Sequence, residues 1–200
     1  MHLIDEKVGF VGSTAIVGNT IPIGVGLAQA QKISKENCIT YIFLGDGATE
    51  EGVFYESLNY ASVRQLPCIF IIENNEYSVY TSLKDRQGVI PIRKKCEAFN
   101  LKYYKVENHD FSYLHKKWIQ VLESCRSGDG PSVIEVFTHR YLEHCGPNKD
   151  DNLIFTALEM PDGMRMDPYT GMIVWEPTRN NIDFSNLKIE VSDGKVNSFI

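Results

Sequence analysis

Residues 38–75 constrain the fold of this chain more than any other stretch. They read CITYIFLGDGATEEGVFYESLNYASVRQLPCIFIIENN. One apolar run, 39–44, ends in Gly45-Asp46-Gly47, and a second, 68–72, ends in Glu73-Asn74-Asn75. Between them, 49–65 carries Val53, Phe54, Leu58 and Ala61 at helical spacing, with Val63 off the strict period. Thr49 followed by Glu50 and Glu51 predicts an N-cap with acids in the first helical turn. Two strands joined by one helix form a parallel unit, and that unit sets Asp46 and Asn75 at neighbouring strand ends.

The alternation continues downstream. A helix is expected over 92–99, a strand over 101–106, an amphipathic helix over 111–126 and a strand over 132–137. On the second helix, Phe111, Leu114, Trp118, Val121, Leu122 and Cys125 share one side. Upstream, the glycine-rich segment 8–26 suits a loop whose backbone approaches a ligand, with a helix starting near Pro22. The fold class is therefore α/β with a parallel sheet. From 149 onward the style changes: three turn signals at 161–163, 167–171 and 192–194 punctuate short β-type runs without helical period. We expect an α/β domain over 1–148 and a small all-β segment over 149–200.

Composition excludes several classes. At 200 residues, 43% hydrophobic and 23% charged, the chain has an ordinary globular balance, and its net charge of −6 argues against nucleic acid. No run approaches the ~20 apolar residues of a membrane span, and MHLIDEKVGF lacks the apolar core of a signal peptide. Cys38, Cys68, Cys96, Cys125 and Cys145 are scattered, without CxxC spacing, inside apolar or helical segments. That pattern reads as reduced thiols in a cytoplasmic protein, without structural zinc.

Asp46 offers a carboxylate and Asn75 a carbonyl oxygen, both hard ligands suited to magnesium. Gly45 and Gly47 permit a tight turn, and the amides of Gly47 and Ala48 ahead of the helix can donate to phosphate oxygens. Ligands of open α/β sheets bind at the carboxyl ends of strands, where both motifs fall. A lone Gly-Asp-Gly is most often only a turn; the pairing with Asn75 across a βαβ unit is far more specific. Glu50 and Glu51 are awkward neighbours for a diphosphate unless they point away or bind the metal indirectly.

GDG followed by Asn at this spacing resembles the thiamine diphosphate fingerprint. FVGSTAIVGNTIPIGVGLA, GDGATEEGVFYESLN, LPCIFIIENNEYSVYT and THRYLEHCGP resemble the alpha subunit of thiamine-dependent 2-oxo acid dehydrogenases, over roughly 1–148. The resemblance implies a thiamine diphosphate-binding fold that is incomplete here. It also implies that Asp46, Asn75 and the carbonyl of Tyr77 bind magnesium, and that Gly47 and Ala48 hold the diphosphate. Ala15 and Val17 would meet the aminopyrimidine through their backbone. Arg140 and His144, in the family's Arg-x-x-x-His pattern, would face diphosphate and substrate. Read without the resemblance, Val17 is equally a core residue and His144 a surface or core histidine.

The family's implied partners are a beta subunit that supplies the activating glutamate, a lipoyl-bearing acyltransferase and a small 2-oxo acid. Relatives carry further diphosphate contacts upstream of Met1 and helices after the histidine loop. The expectation is half a site, inactive without a beta subunit. Residues 151–200 resemble the later part of a cadherin-like or immunoglobulin-like bacterial module, with Asp150, Asp151 and Asp193 as turn residues or calcium ligands. Half a sandwich of this kind would expose an apolar face. Two other readings stay open: a non-catalytic chimera or fragment acting through the β segment, and a transketolase-like thiamine enzyme.

Overall fold

The computed structural model describes residues 2–107, 111–140, 144–145, 154–160, 163–168, 172–175, 187–192 and 197–199. The chain divides into two compact units, Met1–His139 and Arg140–Ile200. The division falls before the 148/149 boundary expected from turn patterning, at the end of the last parallel strand.

The first unit contains α1 (Thr20–Ile33), β1 (Thr40–Gly45), α2 (Gly52–Arg64), β2 (Cys68–Asn74), the short strands β3 (Tyr77–Ser78) and β4 (Thr81–Ser82), and α3 (Leu83–Arg86). Then come α4 (Ile92–Ala98), β5 (Lys102–Val106), α5 (Phe111–Arg126) and β6 (Ser132–Phe137). The strands β1, β2, β6 and β5 lie in that order in one sheet, and every neighbouring pair is parallel. This is the α/β architecture that the alternating sequence pattern predicts.

Each sheet face carries its own core. Phe70 and Ile72 of β2 join Ile42 and Leu44 of β1 beneath α1, α2 and α4, through Ile21, Val25, Phe54, Leu58 and Ile92. Ile69 and Ile71, pointing the other way, join Ile134, Val106 and the α5 residues Val121 and Cys125. Alternate residues of β2 thus serve opposite cores, which is why it reads as an unbroken apolar run. On the α5 side, Trp118 stacks on Tyr41 with ring centroids 5.0 Å apart. Phe111, placed on the packed face by its spacing, is instead largely exposed and stacks on His115.

The expected start of α2 is corrected. Residues Asp46–Glu50 form a separate 3-10 turn, and α2 begins at Gly52 after an extended Glu51. Thr49 is not the N-cap: its hydroxyl donates back to the Asp46 carbonyl at 2.7 Å, inside the turn. The acids therefore precede the helix rather than occupying its first turn.

α1 seats closely on β1 because Gly24 lacks a side chain. A Cβ there would stand 2.6 Å from Ile42 Cγ1.

The second unit contains β7 (Ile154–Glu159), β8 (Met164–Met166), β9 (Ile173–Trp175), β10 (Lys188–Ser192) and β11 (Asn197–Phe199). Among the described residues its pairings are antiparallel, in the order β11-β10-β7 and the hairpin β8–β9. Ile189 is buried against Phe155 and Met166, while Ile154, Leu158, Met172 and Val174 are exposed. Asp150, Asp151 and Asp193, named as calcium candidates, lie outside the described residues.

Cys68, Cys96 and Cys125 are buried, whereas Cys38 and Cys145 are exposed. Burial pushes the Cys68 thiol up, that of Cys96 to about 12 and that of Cys125 to about 11. A disulfide-exchange reagent should therefore modify two thiols promptly and the other three only on unfolding, counted by absorbance with and without denaturant.

In urea denaturation, Gly24→Ala should lose about 1–3 kcal/mol, because Ile42 is a stiff β-branched neighbour. Gly26→Ala, with nothing within 4 Å of the added Cβ, should be neutral or gain up to about 1 kcal/mol.

Candidate functional site

The parallel register of β1 and β2 runs from Thr40 opposite Cys68 to Gly45 opposite Glu73. The next residues on each side are the Asp46 turn and Asn74-Asn75, so the two polar motifs emerge together at the carboxyl edge of the sheet. Asp46 is 1% exposed and Ala48 is buried. A Cβ on Gly47 would stand 2.7 Å from Ser78 Oγ and 3.0 Å from Ser78 Cβ. The β3 segment therefore lies directly over the turn, and only glycine fits beneath it.

The two asparagines have different duties. Asn74 is buried; its Nδ2 donates to Glu135 Oε1 at 2.6 Å and its Oδ1 accepts from Glu76 N at 2.9 Å. Its carbonyl accepts from Thr138 N at 2.8 Å, tying β2 to the end of β6. Asn75 is half-buried, and its Oδ1 accepts from Tyr77 N at 2.9 Å. That oxygen keeps a second lone pair for a cation. Glu76 (φ 66°) and Val79 (φ 55°) occupy the left-handed region on either side of Tyr77-Ser78. For non-glycine residues, and a β-branched valine above all, this is stored strain of about 1–3 kcal/mol each.

Arg86 had no pattern in the sequence to mark it, yet it organises the charges here. Its Nη2 donates to Asp46 Oδ2 at 2.5 Å, its Nη1 pairs with Glu50 and its Nε donates to the Thr81 carbonyl at 2.9 Å. Gln87 reinforces the link, donating from Nε2 to Thr49 Oγ1 at 3.0 Å and Glu50 Oε1 at 3.1 Å. Glu50 is thus neutralised, and Glu51 packs its aliphatic stem near Gly18, where a Cβ would lie 3.1 Å from Glu51 Cγ. Of the two acids that looked unfavourable beside a diphosphate, Glu50 is compensated by Arg86.

The loop that carries Ala15 and Val17 leads into Gly18 (φ 75°) and so stands next to the start of α2. Ala15 is exposed and Val17 is 63% exposed, so the core reading of Val17 does not hold. The structure brings Asp46, Gly47, Ala48, Asn75 and Tyr77 together within the first unit. Arg140, half-buried, and His144, exposed, belong to the second unit. Among the described residues no three His, Cys, Asp or Glu side chains cluster. A cation at Asp46 would depend on the Asn75 amide oxygen and a backbone carbonyl.

A second polar group lies behind Asn74. Glu135, 4% exposed in the middle of β6, accepts from Asn74 and from the Tyr103 hydroxyl. Its signal was available in the sequence as one acid inside the apolar run Ser132–Phe137. Burial, and then the hydrogen bond to Glu135, pushes the Tyr103 phenol well above its usual 10.0. These residues, with Tyr77, Arg93 and Phe137, line a cavity of about 580 Å³.

The dehydrogenase E1 component family model matches residues 1–169. The chain belongs to that family, and the match runs beyond 148 into β7 and β8. It is 42% identical over 144 residues to the pyruvate dehydrogenase E1 component subunit alpha of Rickettsia prowazekii (strain Madrid E), covering 72% of this chain and 44% of that protein. It is 33% identical over 144 residues to the alpha subunit of acetoin:2,6-dichlorophenolindophenol oxidoreductase of Bacillus subtilis (strain 168), covering 72% and 43%. The chain thus spans less than half the length of these relatives. An X-ray structure from Mycobacterium smegmatis, provisionally described as a thiamin diphosphate-dependent enzyme, shares the fold with a TM-score of 0.52. That match has 21% identity and covers 65% of this chain and 24% of the other.

Tyr103→Phe should cost about 1–3 kcal/mol by leaving the buried Glu135 short of a donor. A proton held more tightly in the folded than in the unfolded state stabilises the fold below the unfolded phenol's pKa. That contribution is lost as pH rises past 10. Denaturation between pH 8 and 11 should show a steeper loss for the wild type than for Tyr103→Phe.

Proposed function

We propose that this chain is a thiamine diphosphate- and magnesium-binding alpha-type subunit of a 2-oxo acid dehydrogenase. The reading rests above all on the placement of Asp46 and Asn75 at adjacent parallel strand ends, beside a turn that only Gly47 fits. The donor set suits the group: a buried carboxylate, an amide oxygen with a lone pair to spare and hard oxygens throughout match magnesium. The Gly47 turn matches a phosphate cradle. Membership of the E1 component family and the names of the relatives support the same assignment.

In this reading Asp46, Asn75 and the Tyr77 carbonyl hold the magnesium ion, and the Gly47 and Ala48 amides hold the diphosphate. The backbone of Ala15 and Val17 orients the aminopyrimidine. Arg140 and His144 approach the diphosphate and substrate, and a cationic side chain there orients the carboxylate of a 2-oxo acid. Thiamine diphosphate, when bound, supplies carbanion stabilisation for decarboxylation; the chain's residues position it and exclude water. A beta subunit contributes the activating glutamate, and the acyl group passes to a lipoyl-bearing acyltransferase. We place the protein in the cytoplasm. We read residues 151–200 as part of the cadherin-like module their turn series resembles.

The test is calorimetry on the chain co-expressed with a candidate beta subunit. Thiamine diphosphate should bind only with magnesium present, and Asp46→Ala should abolish that binding along with decarboxylation of pyruvate or a branched 2-oxo acid. Binding that survives Asp46→Ala would remove the metal assignment. Absence of any thermal shift with the wild type would favour a non-catalytic interaction module.

A further inference from the structure

We propose that Arg86 is a resident counter-cation for the Asp46–Glu50 carboxylates, and that a divalent cation must displace its guanidinium to reach Asp46. This rests on the reading of Asp46 as a metal ligand. All three guanidinium nitrogens are committed: Nη2 to Asp46, Nη1 to Glu50 and Nε to the Thr81 carbonyl. The Arg86 side chain is 9% exposed and that of Asp46 2%. Water therefore screens this pair weakly, and the guanidinium neutralises an acid that the fold has already taken out of solvent. A divalent cation coordinated by Asp46 Oδ2 would occupy the position where the Nη2 proton now points. Two cations cannot share that oxygen at such distances without strong repulsion.

The same geometry gives the displaced group somewhere to go. Arg86 Nη1 would lie 3.7 Å from a Cβ on Gly47, so the guanidinium borders the proposed phosphate cradle. The guanidinium is one rigid plane, so leaving Asp46 turns the whole group, while its charge pairing with Glu50 keeps it at the rim. There the freed Nη2 suits a phosphate oxygen. Metal entry and anion capture are thereby coupled through one side chain. Metal alone has to overcome the ion pair, whereas metal arriving with a diphosphate gives Arg86 a new partner.

The two ligands should therefore respond to loss of Arg86 with opposite signs. Manganese(II) serves as a paramagnetic stand-in for magnesium and is titrated by electron paramagnetic resonance into the full chain, with folding checked by circular dichroism. Arg86→Gln should bind Mn²⁺ alone about tenfold more tightly than the wild type, since an uncompensated carboxylate pair attracts it. Inorganic pyrophosphate in the presence of Mn²⁺ should bind the variant more weakly. Arg86→Lys, whose single ammonium cannot span both carboxylates, should tighten Mn²⁺ binding less, and it stands in if Arg86→Gln does not fold. Unchanged or weaker Mn²⁺ binding in the folded Arg86 variant, with Asp46→Asn abolishing it, overturns the displacement and leaves the metal site intact. Mn²⁺ binding that Asp46→Asn leaves untouched overturns the site itself.

Discussion

Parallel pairing between β1 and β2 is the constraint on which the rest of the molecule depends. Because β2 is buried on both faces, its register against β1 cannot slip by one residue. A slip would exchange Phe70 and Ile72 for Ile69 and Ile71 and turn each set into the wrong core. The same register decides that Asp46 and Asn75 appear at the same edge, one strand apart. Hydrophobic sorting on two faces thus does the geometric work for a site made entirely of polar groups.

That polar edge is held by long-range partners rather than by its own loop. Arg86 reaches back to Asp46 and Glu50, Gln87 to Thr49 and Glu50, and Lys95 Nζ donates to Gln87 Oε1 at 2.5 Å. Asn74 and Tyr103 converge on Glu135 from two other strands. Each link crosses between elements, so the turn after β1 is positioned by the 81–95 segment as much as by its glycines. The left-handed Glu76 and Val79 show that the 76–79 segment leading into it is bent over the turn against local preference.

Much of this was legible in the sequence, and the failures have physical reasons. Apolar runs located β1 and β2, and helical periodicity located α5 from Phe111 to Arg126. Both signals are local and repeat over many residues. The start of α2 was misread because Thr49 is chemically able to cap a helix but spends its hydroxyl inside the preceding 3-10 turn. Arg86 was invisible because a lone arginine forty positions after its partner carries no period or motif. Glu135 left a trace, an acid inside an apolar strand, whereas its partners Asn74 and Tyr103 could be named only from the folded sheet. The division of duty between Asn74 and Asn75 also rests on which one remains in the strand.

The seating of α1 on Gly24 has a consequence of its own. The helix lies close to β1 because nothing separates its backbone from Ile42, and its amino-terminal end continues the loop through Gly18 that rests on Glu51. α1 therefore acts as a rigid strut between the sheet and the rim of the turn. The height of the Ala15–Val17 loop above the sheet is set by a contact some residues away in the core. Packing volume at residue 42 becomes a dimension of the site's mouth, so aliphatic exchanges in β1 could retune that opening without touching any polar residue.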